Sequence, residues 1–291
     1  MMVATLVLLH LQNKTVREHH MPHKILTIAG SDSLAGGGIQ ADLATFANYG
    51  YFGLSVITAI VTITPSDFKI YPVDISIIES QLESALALDD IVAVKVGLLP
   101  TPEIIMLVTK YLAQINVPIV VDPVMVFKET TQVNAKNIAN ILKTQLLPLA
   151  TVVTPNLNEA QILANQQIGS IKDMTHAAAV IAHFGAKNVV VKGGTKMSGN
   201  QAVDVLFDGK ACHIFRQNKI QTTKLCHNGA GCTLSASLAA NLGESPDVTR
   251  AFSDAKDFVW QGIKNGVTLN SQFSDGNVWQ GARRSNHETK F

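Results

Sequence analysis

The stretch from Cys226 to Leu242, CHNGAGCTLSASLAANL, sets a cysteine between a Gly-Ala-Gly turn and a run of helical period. The backbone N–H groups of Gly229, Ala230, Gly231 and Cys232, at the start of a helix beginning near Thr233, would form an anion hole reinforced by the helix dipole. That dipole favours thiolate over thiol at Cys232, whose free pKa is about 8.5. A thiolate there takes the proton from a substrate hydroxyl while the N–H groups hold a transferring phosphoryl group. The plainer reading makes Cys232 a small buried residue at a tight junction.

Four further stretches carry compatible chemistry. In KGGTK, Lys192 lies beside Gly193 and Gly194 and is followed by Thr195 and Lys196, so one charge and several backbone N–H groups can meet a phosphate. A solvated lysine is the alternative. In TPNLNEA, Asn156 and Glu159 are three residues apart and can converge on one hydrated Mg²⁺, which keeps several waters and needs few protein ligands. Equally, Pro155 opens a turn and Asn156 or Asn158 caps a helix. Asp122 of DPVM ends an apolar run, where its carboxylate would hold a metal-bound water or a substrate hydroxyl, or merely cap the next turn. In GSDSLAGGGIQAD, Gly30 to Asp42, the glycines permit close approach to a ligand or simply a flexible turn. Their spacing is neither G-x-G-x-x-G nor the P-loop.

In an open α/β sheet, ligands bind beyond the C-terminal ends of the strands, so these stretches have to follow strands. Apolar runs of strand length do recur, each followed by a helical pattern: Lys24–Ala29 then Gly38–Asn48, Leu54–Ile63 then Asp74–Leu88, and Ile91–Val96 then Pro102–Ile115. Thr101 supplies an N-cap and Pro102 a first-turn proline for the last of these helices. Pro118–Val121, Thr151–Thr154 and Asn188–Lys192 are nearly uninterrupted β-branched runs, as parallel strands covered on both faces require. This order predicts an α/β fold with a mainly parallel central sheet and helices on both faces. Ala202–Phe207 and Ala211–Arg216 flank Asp208-Gly209 and read as a hairpin, and helical patterns resume over Thr233–Leu242 and Val248–Asn265.

The chain has 291 residues, 47% of them hydrophobic, enough for a substantial core. Its 23 basic and 22 acidic residues leave net +1, so nucleic acid and acidic membrane give way to a small molecule as the expected partner. The three cysteines, Cys212, Cys226 and Cys232, form neither a C-x-x-C pair nor a zinc-ligand pattern and fit a reducing cytoplasm. Residues 1–20 read as a disordered extension or a mis-assigned start, with a weak signal peptide as the alternative, and their apolar run is too short to span a bilayer. Residues 21–270 are expected to be one domain, and residues 271–291 a loosely held polar tail.

AGSDSLAGGGIQADL, DPVM, TPNLNEA, VKGG, VDVLFDG and GAGCTLSA together resemble, in order and spacing, the ribokinase-like vitamin kinases. That group contains hydroxymethylpyrimidine (phosphate) kinase and the pyridoxal kinases similar to it. The resemblance implies a single ribokinase-like domain, ATP with Mg²⁺, γ-phosphoryl transfer to a hydroxymethyl group on an aromatic ring, and a homodimer. It puts Gly229, Ala230, Gly231 and Cys232 at the family's anion hole, Cys232 standing at the catalytic position, which is aspartate in most sugar kinases of the wider superfamily. It assigns Lys192, Gly193, Gly194, Thr195 and Lys196 to the ATP-phosphate loop and Asp204 to the nucleotide site. Asn156 and Glu159 match the phosphate and Mg²⁺ motif, Asp122 acting with Glu159 on the metal through water. Gly30, Asp42 and Gly97 fall on the ring-binding side.

Hydroxymethylpyrimidine kinases usually carry a glutamine that reads the pyrimidine edge, and Ile63 occupies that position here. An isoleucine leaves such an edge unpaired, which is costly when buried. With Lys128 following DPVM as in the similar pyridoxal kinases, the resemblance favours the 5′-hydroxymethyl group of pyridoxal, with pyridoxine and pyridoxamine, as acceptor. Hydroxymethylpyrimidine or its phosphate is the alternative; a catalytically silent vitamin- or nucleotide-binding protein is the alternative of another class. The chain departs from the usual motifs at Leu34, Ala35, Phe127 and Asn228.

Overall fold

The computed structural model describes residues 21–125, 132–221 and 225–284. The expectations for residues 1–20, Phe127 and Lys128, and for the chain beyond Arg284, lie outside these. A nine-stranded sheet runs in the order β3-β2-β1-β4-β5-β6-β7-β8-β9. Its strands are β1 (Lys24–Asp32), β2 (Phe52–Ile63), β3 (Phe68–Pro72), β4 (Ile91–Val96), β5 (Ile119–Val121), β6 (Val152–Val153), β7 (Asn188–Lys192), β8 (Gln201–Phe207) and β9 (Cys212–Asn218). From β2 to β7 neighbouring strands are parallel, while β3, β8 and β9 run antiparallel at the edges.

Alternating side chains of the central strands feed two cores, as the period of two demands. Val94, Val121, Val153 and Val191 pack on one face against helices α2 (Ile75–Leu86), α3 (Pro102–Leu112), α5 (Leu157–Ala164) and α6 (Ile171–Ala182). Ala93, Val120, Val152 and Val190 pack on the other against α1 (Gly38–Asn48), α7 (Ala230–Glu244) and α8 (Val248–Lys264). A further helix, α4 (Gln132–Ile141), precedes β6. Thr101 caps α3 as expected, its side chain accepting the Ile104 N–H at 3.3 Å with Pro102 in the first turn. At the β8–β9 turn Gly209 takes φ +86°, and the Asp208 carboxylate accepts the N–H groups of Lys210 and Ala211. No helix among the described residues is long and apolar enough to cross a membrane.

The structure corrects the sequence reading in three places. The edge strand β3, not expected from the sequence, is only five residues long with Lys69 inside it and Pro72 at its end, and three of its residues are exposed, so it carries no clear strand alternation. Helix α7 starts at Ala230 rather than near Thr233, because Gly229 in the left-handed region acts as its N-cap. Finally, the described residues after Ser271 are not a loose tail. Gly276–Asn277 forms strand β11 beside β10 (Cys226–Asn228), and Val278 and Ala282 are buried. Polar side chains conceal this role in the sequence, since Asn277 and Gln280 spend their amides on hydrogen bonds inside the fold.

Candidate active site

Gly229 takes φ +84°, and any Cβ there would collide with the Gly36 carbonyl oxygen of the β1–α1 loop. Helix α7 therefore starts flush against the glycine-rich loop. Its first intrahelical bond runs from the Thr233 N–H to the Gly229 carbonyl at 2.8 Å. The N–H groups of Ala230, Gly231 and Cys232 have no partner within the helix, as at any helix start, and no side chain caps them.

Cys232 lies against the same loop, its Sγ accepting the Gly38 N–H at 3.4 Å. Burial pushes the thiol pKa up, and the charges of Asp42 and Asp122 add to this against the opposing pull of Lys95. The expectation of a resting thiolate is thus corrected: the helix dipole is outweighed by desolvation and by two nearby carboxylates.

Lys192, at the end of β7, pairs with Asp122 at 2.7 Å. Burial opposes its charge, but attraction to Asp122 and Glu159 outweighs this and holds the pKa above the usual lysine range. Asp122 also faces the hydroxyls of Thr154 at 3.3 Å and Ser235 at 3.4 Å. Asn156 is the N-cap of α5: its side chain accepts the N–H groups of Asn158 and Glu159, and Glu159 returns a bond to the Asn156 N–H at 2.8 Å. The capping interpretation is therefore correct in geometry, and the same capping box aims Asn156 and Glu159 into the cleft. Burial pushes the Glu159 carboxyl up to about 7, with Lys192 pulling it back and Asp122 raising it further.

Asp204 on β8 accepts the Gly193 and Gly194 N–H groups at 2.9 and 3.2 Å and pairs with Lys256 of α8 at 2.5 Å. With both oxygens engaged it fixes the shape of the Gly193–Gly194 loop. Two cavities open along this edge of the sheet. One, of about 370 Å³, is bounded by Gly193, Thr195, Lys196, Leu234 and Trp260. The other, of about 670 Å³, is bounded by Ile63, Phe68, Asp122, Glu159, Cys232 and Phe273. Asn156, Lys192 and Gly231 line both, and Ala230 lines the first and Gly229 the second.

Three residues expected on the ring-binding side are not brought into the cleft. Gly30 is buried within β1, where a Cβ would press on Leu98 and Val61 at 3.1 and 3.4 Å. Asp42 is fully buried, accepting from Lys95 Nζ at 2.8 Å and the Thr27 hydroxyl at 2.6 Å. At Gly97 a Cβ would stand 2.7 Å from Lys95 Nζ, so this glycine makes room for the buried lysine. Lys95 was detectable in the sequence as a single cation inside the apolar strand IVAVKV. Lys256 was not, because a lysine on an amphipathic helix looks like any solvated one.

A family model described as phosphomethylpyrimidine kinase matches residues 32–277, spanning every element of this cleft. The chain belongs to that kinase family. It is 40% identical over 253 residues to the pyridoxine kinase of Bacillus subtilis, covering 85% of this chain and 93% of that one. The ADP complex of Bacillus subtilis pyridoxal kinase superposes with a TM-score of 0.84 at 39% identity, covering 90% of this chain and 99% of that one. The pyridoxal kinase of Staphylococcus aureus in complex with AMP-PCP and pyridoxal gives 0.83 at 38%, covering 90% and 94%. The fold is the ribokinase-like one that the six motifs imply. In this kinase family member, Cys232, Asp122, Glu159 and Lys192 all line the larger cavity, and Lys192 lines the smaller one as well.

Proposed function

We propose that the chain is a pyridoxal kinase, transferring the γ-phosphoryl group of ATP to the 5′-hydroxymethyl oxygen of pyridoxal, with pyridoxine and pyridoxamine as further acceptors. The observation that carries this reading is the pair of cavities meeting at Asn156, Lys192 and Gly231. Nucleotide-complexed and pyridoxal-complexed relatives of the same fold support it. The nucleotide takes the cavity beside Gly193, Thr195 and Trp260, the vitamin ring the one beside Ile63, and the hydroxymethyl oxygen points to the start of α7.

The transition state of such transfers is loose, so positioning and charge stabilisation dominate. Lys192 faces the phosphates with a permanent charge, and the N–H groups of Ala230, Gly231 and Cys232 receive the transferring group. Asp122 and Glu159, lining one cavity beside Asn156, are the residues that would hold Mg²⁺, an ion that needs few protein ligands. When bound it would supply charge neutralisation for the phosphates. Cys232 assists by accepting the hydroxyl proton in its ionised form, and because burial raises its pKa above the ordinary thiol value, that form grows as pH rises into the alkaline range.

Cys232→Ala is accordingly expected to lower turnover on the order of 10²-fold while ATP affinity changes little, and to flatten the rise of turnover with pH. Unchanged turnover and an unchanged pH profile in the purified variant would reject a role for the thiol.

The whole reading is tested by ADP release with ATP·Mg²⁺ and, in parallel, pyridoxal or hydroxymethylpyrimidine. Turnover on pyridoxal is expected; turnover mainly on the pyrimidine, the second reading that the family description favours, overturns the acceptor, and ligand binding without ADP release overturns the kinase. Ile63→Gln should raise the pyrimidine-to-pyridoxal turnover ratio on the order of tenfold by offering a buried edge its missing partner. The enzyme is further proposed to act in the cytoplasm and to form a homodimer, the second reading being supported by the exposed apolar side chains Phe52, Ile60, Tyr71, Ile75 and Ile77.

A further inference from the structure

Two loops must keep a fixed separation for the proposed transfer: the glycine-rich segment after β1, and the β10–Gly229 corner that starts α7. Gly36 and Gly229 touch backbone to backbone, with no room for a side chain between them. Such a contact has little adhesion of its own. The loop holds itself partly from within, since the Asp32 carboxylate accepts the Leu34 and Gly37 N–H groups at 2.9 and 2.8 Å. Those bonds fix its shape, not its distance from α7.

The carboxamide of Asn277 spans that gap. Its Nδ2 donates to the Leu34 carbonyl of the glycine-rich loop at 2.8 Å, and its Oδ1 stands 3.5 Å from Asn228 Nδ2 on β10. The side chain is tight against Gly36, where an added Cβ would come within 3.0 Å of Oδ1. Its backbone is immobilised on both sides, through paired bonds with Val267 and through the Val278 N–H donating to the Asn228 carbonyl at 3.0 Å. Three residues on, Gln280 Nε2 donates to the Thr233 hydroxyl in the first turn of α7 at 3.0 Å, and both residues are buried.

We propose that Asn277 is a positioning residue for phosphoryl transfer, its carboxamide locking the glycine-rich loop against the anion-hole corner while Gln280 anchors the same segment to helix α7. This inference rests on the kinase reading for its kinetic consequence alone. A carboxylate cannot donate to the Leu34 carbonyl, so Asn277→Asp keeps the size of the side chain and reverses the contact. Both Asn277→Asp and Asn277→Ala should lower kcat with the vitamin acceptor on the order of 10²-fold, the effect of an ångström-scale misplacement. The KM for ATP should stay within about twofold, because the phosphate loop at Gly193 is untouched.

Amide hydrogen exchange over residues 33–38 should accelerate on the order of tenfold in both variants, matching the loss of one hydrogen bond. Exchange in α8 should not change. Turnover retained within twofold, a parallel rise in the KM for ATP, or unaltered exchange in the loop would each overturn the assignment. If the parent chain releases no ADP, the kinase reading falls, and the exchange measurement alone then decides whether Asn277 locks the loop. The near-isosteric Asp variant keeps the test open if the Ala variant fails to fold.

Discussion

Gly229→Ala should abolish phosphoryl transfer, with turnover reduced on the order of 10³-fold or more, since oxyanion-hole donors are each worth about 10²–10³ and the substitution displaces the N–H groups of Ala230, Gly231 and Cys232 together. The cause is geometric. At φ +84° the new Cβ points into the Gly36 carbonyl, so either α7 or the glycine-rich loop must retreat. Nucleotide binding should survive, because Gly193 and Gly194 follow β7 and are held by Asp204, and Lys192 is held by Asp122, rather than by the corner. Steady-state turnover with ATP·Mg²⁺ and pyridoxal, alongside calorimetric titration with ADP, reads both quantities. Gly50→Ala separates the collision from backbone strain: Gly50 has φ +86° but open space around its missing Cβ. That control should cost about 1 kcal/mol of stability and leave turnover in place. Near-parental turnover in Gly229→Ala would remove the corner from the mechanism.

The second large effect concerns the fold beneath the site. Lys95 and Asp42 are both fully buried between the sheet and helices α1 and α7. Burial pulls the lysine pKa down, but the carboxylates of Asp42 and Asp122 more than compensate and hold the ammonium protonated. Lys95→Met removes that charge and leaves Asp42 with the Thr27 hydroxyl as its remaining donor. The expected loss is about 3–5 kcal/mol, the cost of breaking a buried pair from one side. Adding Asp42→Leu to Lys95→Met should recover most of it, since replacing such a pair by apolar groups is often neutral.

The pH dependence has a definite sign. Burial already holds the Asp42 carboxyl above its unfolded value of about 3.9 against the opposing pull of Lys95 and Thr27, and without Lys95 its folded pKa rises further. Between those two values the folded state binds the extra proton, and stability falls as pH rises. Denaturant unfolding should therefore show the Lys95→Met deficit shrinking as pH approaches 4. A deficit under about 1 kcal/mol at neutral pH would mean that the pair is not a structural element.

What the sequence determined by itself is local. Uninterrupted β-branched runs such as Pro118–Val121 mark strands covered on both faces, and Thr101-Pro102 and Asn156 with Glu159 write their helix starts within four residues. The motifs that end those strands do converge at one edge of the sheet, and so Cys232, Lys192, Asp122 and Glu159 were legible as a set. Tertiary structure alone decided the rest. Asp42 reads as a cleft carboxylate until Lys95, 53 positions away, is found filling the space beneath it. Polar residues after Ser271 read as a tail until Asn277 is found bonded to Leu34, 243 positions away. The protonation of Cys232 likewise depends on burial and on charges from strands and helices distant in the chain. Periodicity and capping need only the residues that follow one another. Desolvation, charge pairing and steric fit depend on whatever the folded chain brings alongside, and no local pattern records that.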